Sequence, residues 1–239
     1  MEEVKPPAPN SRRERARQTR RRMLAAAYDL FVEQGYAPVT MSQIAARAHV
    51  AVQTLHFTFH TKAELLQEVI QVYSAGEDDP EPVMDRGWMA EVLATPNPHR
   101  QLALMVEHGV EIYRRMAALS PAIAAAATVD ADVAAMWRGI AHARRAGMAR
   151  MIETLAGKAP LRVGLYPERA TDLMFVLNSH ETFLGLTVGA GWTIEAYKAW
   201  LYLTLTDQLL QPAPRGKRVN AAAGLSYAAE LAAGLPAGG

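Results

Sequence analysis

The chain has 239 residues, half of them apolar, no cysteine and a formal net charge of +1. Its length supplies core for one large domain or two modest ones, and the lack of cysteine excludes disulfides and thiolate metal ligands. The longest uncharged apolar run, Thr182 to Ile194, is too short to span a bilayer. The N-terminal "MEEVKPPAPN" lacks the apolar centre of a secretion signal, so a soluble cytoplasmic protein with no membrane partner is expected.

The charge is uneven along the chain. Residues 1–62 carry ten Lys/Arg and five Asp/Glu, a balance of +5, against −4 for the remainder. A basic head on a mildly acidic body points the head at a polyanion.

Residues 1–11 are polar and proline-rich and read as disordered, and residues 1–16 together as a disordered basic arm. "RRERARQTRRR" sets seven Arg and one Glu between Arg12 and Arg22, either a solvated helix start or an arm that neutralises phosphates. From about Gln18 the apolar spacing turns helical: Leu24, Ala27, Tyr28, Phe31 and Val32 share a face, and Gly35 stops the helix in a left-handed cap. In "VTMSQIAARA" Thr40 and Gln43 form a capping box, with Val39 and Ile44 as its hydrophobic staple. "HVAV" interrupts this short helix, a third runs from about Val52 to Thr58, and Thr61 with Glu64 caps a fourth beginning near Lys62.

Two short helices joined by a tight turn after a longer one make a helix-turn-helix, whose second short helix is shaped for the major groove of DNA. Ala45, Val50, Leu55 and Phe59 form its small core. Ala51, Val52, Gln53, Thr54, His56, Phe57 and Thr58 then face outward or border that core. An exposed Val and Phe make poor surface unless they meet thymine methyls and sugars, with Gln53 or Thr54 reaching base edges. His49, His56 and His60 raise the rival reading of a metal site. The turn after His49 and the break near His60 destroy a common stripe, and no acidic ligand lies between Glu33 and Glu64. No metal and no cofactor are expected.

Residues 17–77 resemble the DNA-binding domain of the tetracycline-repressor (TetR) family of bacterial transcription regulators. The resemblance is carried by "AAYDLFVEQGYAPVTMSQIAARAHVAVQTLHFTFHTKAELL", with Phe31, Gly35-Tyr36, Thr40, Ile44-Ala45, Val50, Thr54-Leu55, Phe59, Lys62 and Leu65-Leu66 in register. It adds Arg20, Thr40, Ser42 and Lys62 to the DNA-facing set, Lys62 toward a phosphate. Three positions depart from the family pattern. His49 replaces the usual turn glycine and must take a conformation glycine adopts more cheaply. Ala51 replaces a common serine. His56 replaces a tyrosine whose hydroxyl touches a phosphate, a contact histidine can also make, more strongly when protonated.

The body, residues 78–211, opens after the acidic "GEDDPEP" linker with a short helix in "GWMAEVLATPNP". Asn97-Pro98 reads as an N-cap and first helical position. The helix that follows buries Leu102, Met105, Val106, Gly109, Tyr113 and Met116 and exposes Glu107, Glu111 and Arg114. "SPAIAAAATV" separates it from a helix between Asp130 and about Leu155, buried along Val133, Met136, Trp137, Ile140, Met148, Met151 and Leu155. A further helix spans Pro167 to about Gly189, and a last one follows Thr193, with Trp192 and Tyr197 as its staple. Arg144 and Glu181 fall inside apolar stripes, so either they pair or one or both reach solvent. Asn178, Ser179, His180 and Thr182 beside Glu181 read as pocket polar groups, interface hydrogen bonds or a local kink. The tail, residues 212–239, is disordered or loosely docked.

The fold expected is all-α: a three-helix DNA-binding domain followed by a helical ligand-binding and dimerisation domain. The two final helices, about 167–189 and 193–211, are apolar over most of their circumference and suggest a homodimer. The resemblance implies a four-helix dimer bundle there and a small-molecule effector in each body, releasing a palindromic operator of double-stranded DNA. Trp88, Met105, Trp137, Phe175 and Phe183 are candidates to line the effector pocket, with His108, Arg144, Asn178 and Glu181 as polar members. Two rivals stay open: a DNA-binding protein controlled by a protein partner, and an enzyme in the body. For the enzyme, Arg144, His180 and Glu181 form the one constellation, no catalytic motif is found, and no nucleophile is evident.

Overall fold

The computed structural model describes residues 9–76 and 87–212, without the side chains of residues 9–12. The expectations for residues 1–8, for most of "GEDDPEP" and for residues 213–239 lie outside the described residues. The described chain is all-α. The described residues form two units, one from residues 9–76 with 118–137 and one from residues 87–117 with 138–212.

In the first unit α1 (Pro9–Gln34) packs on α2 (Met41–Arg47) and α4 (Lys62–Ala75), and α2 packs on α3 (Val52–Thr58). Leu24, Ala27, Phe31, Ile44, Ala45, Leu55, Leu65 and Val69 are almost fully buried. Tyr28 and Tyr73 stack with ring centroids 3.8 Å apart. Gly35 ends α1 at φ +82°, where a side chain would be strained. Thr40 caps α2 in the expected box with Gln43. Thr61 caps α4 by accepting from Glu64 N–H, while the Glu64 carboxylate reaches back to His60 N–H rather than to Thr61 itself.

Two expectations for this unit change. α1 begins at Pro9, so residues 9–16 are helical and not a disordered arm. Proline suits a first helical turn, and the Arg, Glu and Ala that follow are strong helix formers. "SPAIAAAATV" is a helix, α7 (Ser120–Val129), with Pro121 in its first turn and Ile123 and Ala126 buried. Alanine's high helix propensity prevails there over the turn signal of Ser-Pro. The helix α8 (Ala131–Ala156) contributes its residues through Trp137 to this unit.

The second unit is built on α6 (Pro98–Met116), which packs against α5 (Gly87–Ala94) and α11 (Ile194–Leu209). Asn97 caps α6, accepting from the N–H groups of His99 and Arg100. Met105, Val106, Ile152, Tyr197, Leu201 and Leu205 form part of one cluster of buried residues. The helix expected from Pro167 to Gly189 is broken. It becomes α9 (Pro167–Leu177), α10 (His180–Leu184) and a π-helical turn (Gly185–Gly189). Asn178 leaves helical geometry at φ −92°, ψ 63°, and Ser179 starts α10 by accepting from Thr182 N–H. Thr193 caps α11, and Trp192 meets Trp200 edge-on with centroids 6.1 Å apart. No helix of the described residues is long and apolar enough to cross a membrane.

Candidate functional site

The α2–turn–α3 segment is held from inside, and its outer face stays bare. Leu55 and Phe59 point into the core, whereas Ala51, Gln53, Thr54, His56, Phe57 and Thr58 are exposed and Val52 is half-buried. Phe57 is 87% exposed on a seven-residue helix. The turn between α2 and α3 contains His49 at φ +54°, alone among the described non-glycine residues in the left-handed region. A histidine therefore carries the strain that the missing glycine would have avoided. His56 lies within α3 and His60 in the turn after it, and no group of three or more potential ligands converges among the described residues.

Three members of the expected DNA-facing set hold the unit together. The ammonium of Lys62 donates to the carbonyls of Tyr36 (2.9 Å), Ala37 (3.2 Å) and Val39 (2.9 Å) and lies 4.1 Å from the Tyr36 ring centroid. All three of its N–H donors are thus engaged, and partial burial lowers its pKa. Arg20 pairs with Glu68 on α4 and lies over the Phe59 ring. Thr40 uses its hydroxyl in the capping box, while Ser42 beside it is exposed. Lys62 and Arg20 are therefore positioning residues here, one fixing the loop before α2 and the other the end of α3.

In the second unit Arg144 and Glu181 do not pair. Arg144 donates to the carbonyl of Asn178 at 3.0 Å and, more weakly, to that of Phe175 at 3.5 Å, and its guanidinium lies 4.0 Å from the Phe175 ring centroid. The break after α9 frees carbonyls that a continuous helix would have occupied, and the guanidinium takes them. Glu181 is exposed on α10. Tyr113 also donates to the Asn178 carbonyl.

Around that break the polar atoms are under-satisfied. Asn178 is buried, its Nδ2 reaches only Met105 Sδ at 3.8 Å, and its Oδ1 has no partner. Nε2 of His180 and the hydroxyl of fully buried Tyr197 are likewise buried and unpaired. Aromatic rings join these groups: Tyr113 meets His180 edge-on at 5.5 Å, and Phe183 meets Tyr197 edge-on at 5.2 Å. Burial pushes the His180 pKa down to about 4, so its imidazole is neutral near pH 7.

Of the expected effector residues, Met105, Arg144, Phe175, Asn178 and Phe183 gather here with His180, one of the candidate pocket polar groups, and with Tyr113 and Tyr197, which the sequence does not single out for a pocket. Trp88 and His108 instead pair with each other, centroids 5.1 Å apart, and His108 borders a separate groove of about 640 Å³ between α6 and α11. Trp137 belongs to the other unit.

Residues 23–69, from the buried part of α1 into α4, match the family model described as bacterial regulatory proteins, tetR family. Two curated relatives from Pseudomonas putida are each 35% identical over 82 residues, or 33% of this chain. They are the uncharacterized HTH-type transcriptional regulator TtgW and the HTH-type transcriptional regulator SrpR. The match spans 61% of the first and 38% of the second, less than two thirds of either. The fold extends further than the sequence likeness. A transcriptional regulator from Saccharomonospora viridis, solved in complex with choline, superposes with a TM-score of 0.63 at 17% identity, over 81% of this chain and 98% of that one. Residues 23–69 thus form a head of the type found in bacterial regulatory proteins of the tetR family, and the chain as a whole shares the fold of the S. viridis structure.

Proposed function

We propose that the protein is a sequence-specific DNA-binding transcriptional regulator, acting as a repressor, whose α3 reads the major groove. The observation that carries this reading is Phe57, 87% exposed on α3 beside exposed Gln53, Thr54 and His56. An isolated apolar ring in water contributes nothing to folding, but on duplex DNA it meets thymine methyls and sugar edges. The exposed amide of Gln53 and hydroxyl of Thr54 supply donors and acceptors for base edges. The protein acts as a homodimer, which sets two such helices one turn of DNA apart, roughly 34 Å. Exposed Val176, Val188 and Leu203 on the last helices provide apolar surface for that dimer.

The body responds to a small-molecule effector. Its support is the set of unpaired polar atoms on Asn178, His180 and Tyr197 within an aromatic cluster, which offers hydrogen bonds that the folded chain leaves unused. Choline in the S. viridis neighbour gives a precedent for a small ligand in this fold. An effector shifts DNA affinity only as far as it prefers one state of the protein over the other.

Footprinting on the DNA upstream of the gene tests the reading. Protection of two half-sites about one helical turn apart is expected, weakened by Gln53→Ala and by Phe57→Ser with no loss of folded stability. Absence of binding to any palindromic duplex at low salt would overturn it.

A further inference from the structure

α1 is longer than its core requires. Its first buried residue is Met23, yet the helix begins at Pro9. Residues 13–18 are all exposed, so no packing holds the extension. At 1.5 Å per residue, the stretch from Pro9 to Arg20 reaches roughly 16 Å. Its composition is one-sided, with seven Arg and one Glu between Arg12 and Arg22. Such a run repels itself and has marginal stability as an isolated helix unless an anion neutralises it.

Two contacts place this extension. Arg20 lies over Phe59, the residue that directly follows α3, and pairs with Glu68. Arg13 and Arg17 stand seven and three residues before Arg20, on the same helical stripe. The stripe that touches the end of α3 is thus continued outward by guanidinium groups. Arg17 makes only a surface pair with Glu14 at 3.1 Å, which is worth little in water. Among the described residues, Arg13, Arg15 and Arg22 have no hydrogen-bond or acidic partner.

We infer that the N-terminal extension of α1 is a second DNA-contacting element, laying the Arg13 and Arg17 guanidiniums on phosphates that flank the base pairs read by α3. The inference rests on the proposed DNA-binding function and goes beyond its helix-turn-helix. The phosphate backbone presents one charge per 3.4 Å of each strand, a spacing that an arginine-rich helix can match without reading sequence. Arg20 serves the element as its anchor and not as a contact.

The test compares the full chain with Arg13→Gln/Arg17→Gln by fluorescence anisotropy on a duplex carrying the footprinted site, across a salt series. Glutamine keeps the helix propensity, and circular dichroism confirms unchanged helix content. Each lost phosphate contact reduces the slope of log K against log salt by about 0.9. The parent should therefore lose about tenfold more affinity than the variant between roughly 50 and 200 mM salt. Preference for the site over a scrambled duplex should stay the same, and trimming the flanking base pairs should abolish the difference between the proteins. Equal slopes for parent and variant, with the parent bound, would overturn this inference alone. A parent that fails to bind any duplex would overturn the DNA-binding reading, and this inference with it.

Discussion

The phenol of Tyr36 donates to the Asp130 carboxylate at 3.0 Å, although the two residues lie 94 positions apart. The other oxygen of Asp130 accepts from the N–H groups of Asp132 and Val133, so one carboxylate both caps α8 and ties it to the loop before α2. Those backbone bonds, Val133 first, hold the carboxyl below its ordinary range, while burial foremost, with the Asp130 bond, raises the Tyr36 phenol. Lys62 lies over the same Tyr36 ring. The loop before α2 is therefore tied to α8 through one phenol and one carboxylate, with the Lys62 ammonium set over the phenol ring.

Tyr36→Phe removes the hydrogen bond and keeps the ring. The expected loss is about 1–2 kcal/mol, that of a hydrogen bond to a charged group at a partly buried site. Urea unfolding reads it, and a double-mutant cycle with Asp130→Asn should show coupling of at least about 0.5 kcal/mol. Strict additivity would mean that the bond carries no energy.

His49→Gly should stabilise the protein. A non-glycine residue in the left-handed region costs roughly 1–2 kcal/mol, and glycine returns about 0.5–1 of that through its greater freedom when unfolded. A net gain of about 0.5–1 kcal/mol is expected in chemical denaturation. His49 is exposed, so little packing is lost; a destabilised variant would show that the imidazole contributes something the backbone geometry does not reveal.

Gly109→Ala is expected to go against the usual helical preference. Alanine in a helix interior gains about 0.5–1 kcal/mol over glycine. Here its Cβ would stand 3.0 Å from Asn178 Oδ1 and 3.3 Å from Nδ2 of a buried side chain. Overpacking of that kind costs roughly 1–3 kcal/mol, so a net loss near 1 kcal/mol should appear in the urea midpoint. Gly139, with nothing near its Cβ position, is the control, and Gly139→Ala should not destabilise.

His180 should give the second unit an acid sensitivity. Its pKa is depressed to about 4 by burial, a shift opposed by the charge of Glu181 and aided by that of Arg144. The stability contributed by the neutral ring is fully present above the ordinary histidine value of about 6.5. It declines as pH falls below that value and is lost on passing through about 4. His180→Phe keeps an aromatic partner for Tyr113 and should flatten stability against pH in this window. Parallel profiles for parent and variant would exclude the role.

Much of the head is legible in the sequence. Gly35, the Thr40–Gln43 box, the limits of α3 and the strain at His49 are local events, decided by residues within one turn of each other. The sequence by itself therefore determined the helix-turn-helix and which α3 side chains face outward, because caps, turns and apolar periodicity act over a few residues. Partner choice across the chain was not legible. The three carbonyls of the loop before α2 that the Lys62 ammonium fills are not foreseeable from its place in the sequence. The sequence leaves open whether Arg144 pairs with Glu181 or reaches solvent; in the fold it caps the carbonyls exposed where α9 breaks at Asn178. A charged side chain takes whatever unsatisfied groups the fold brings near it, and those groups exist only once distant helices have packed. Which charges hold the protein together and which stay exposed is therefore settled by the packing of distant helices.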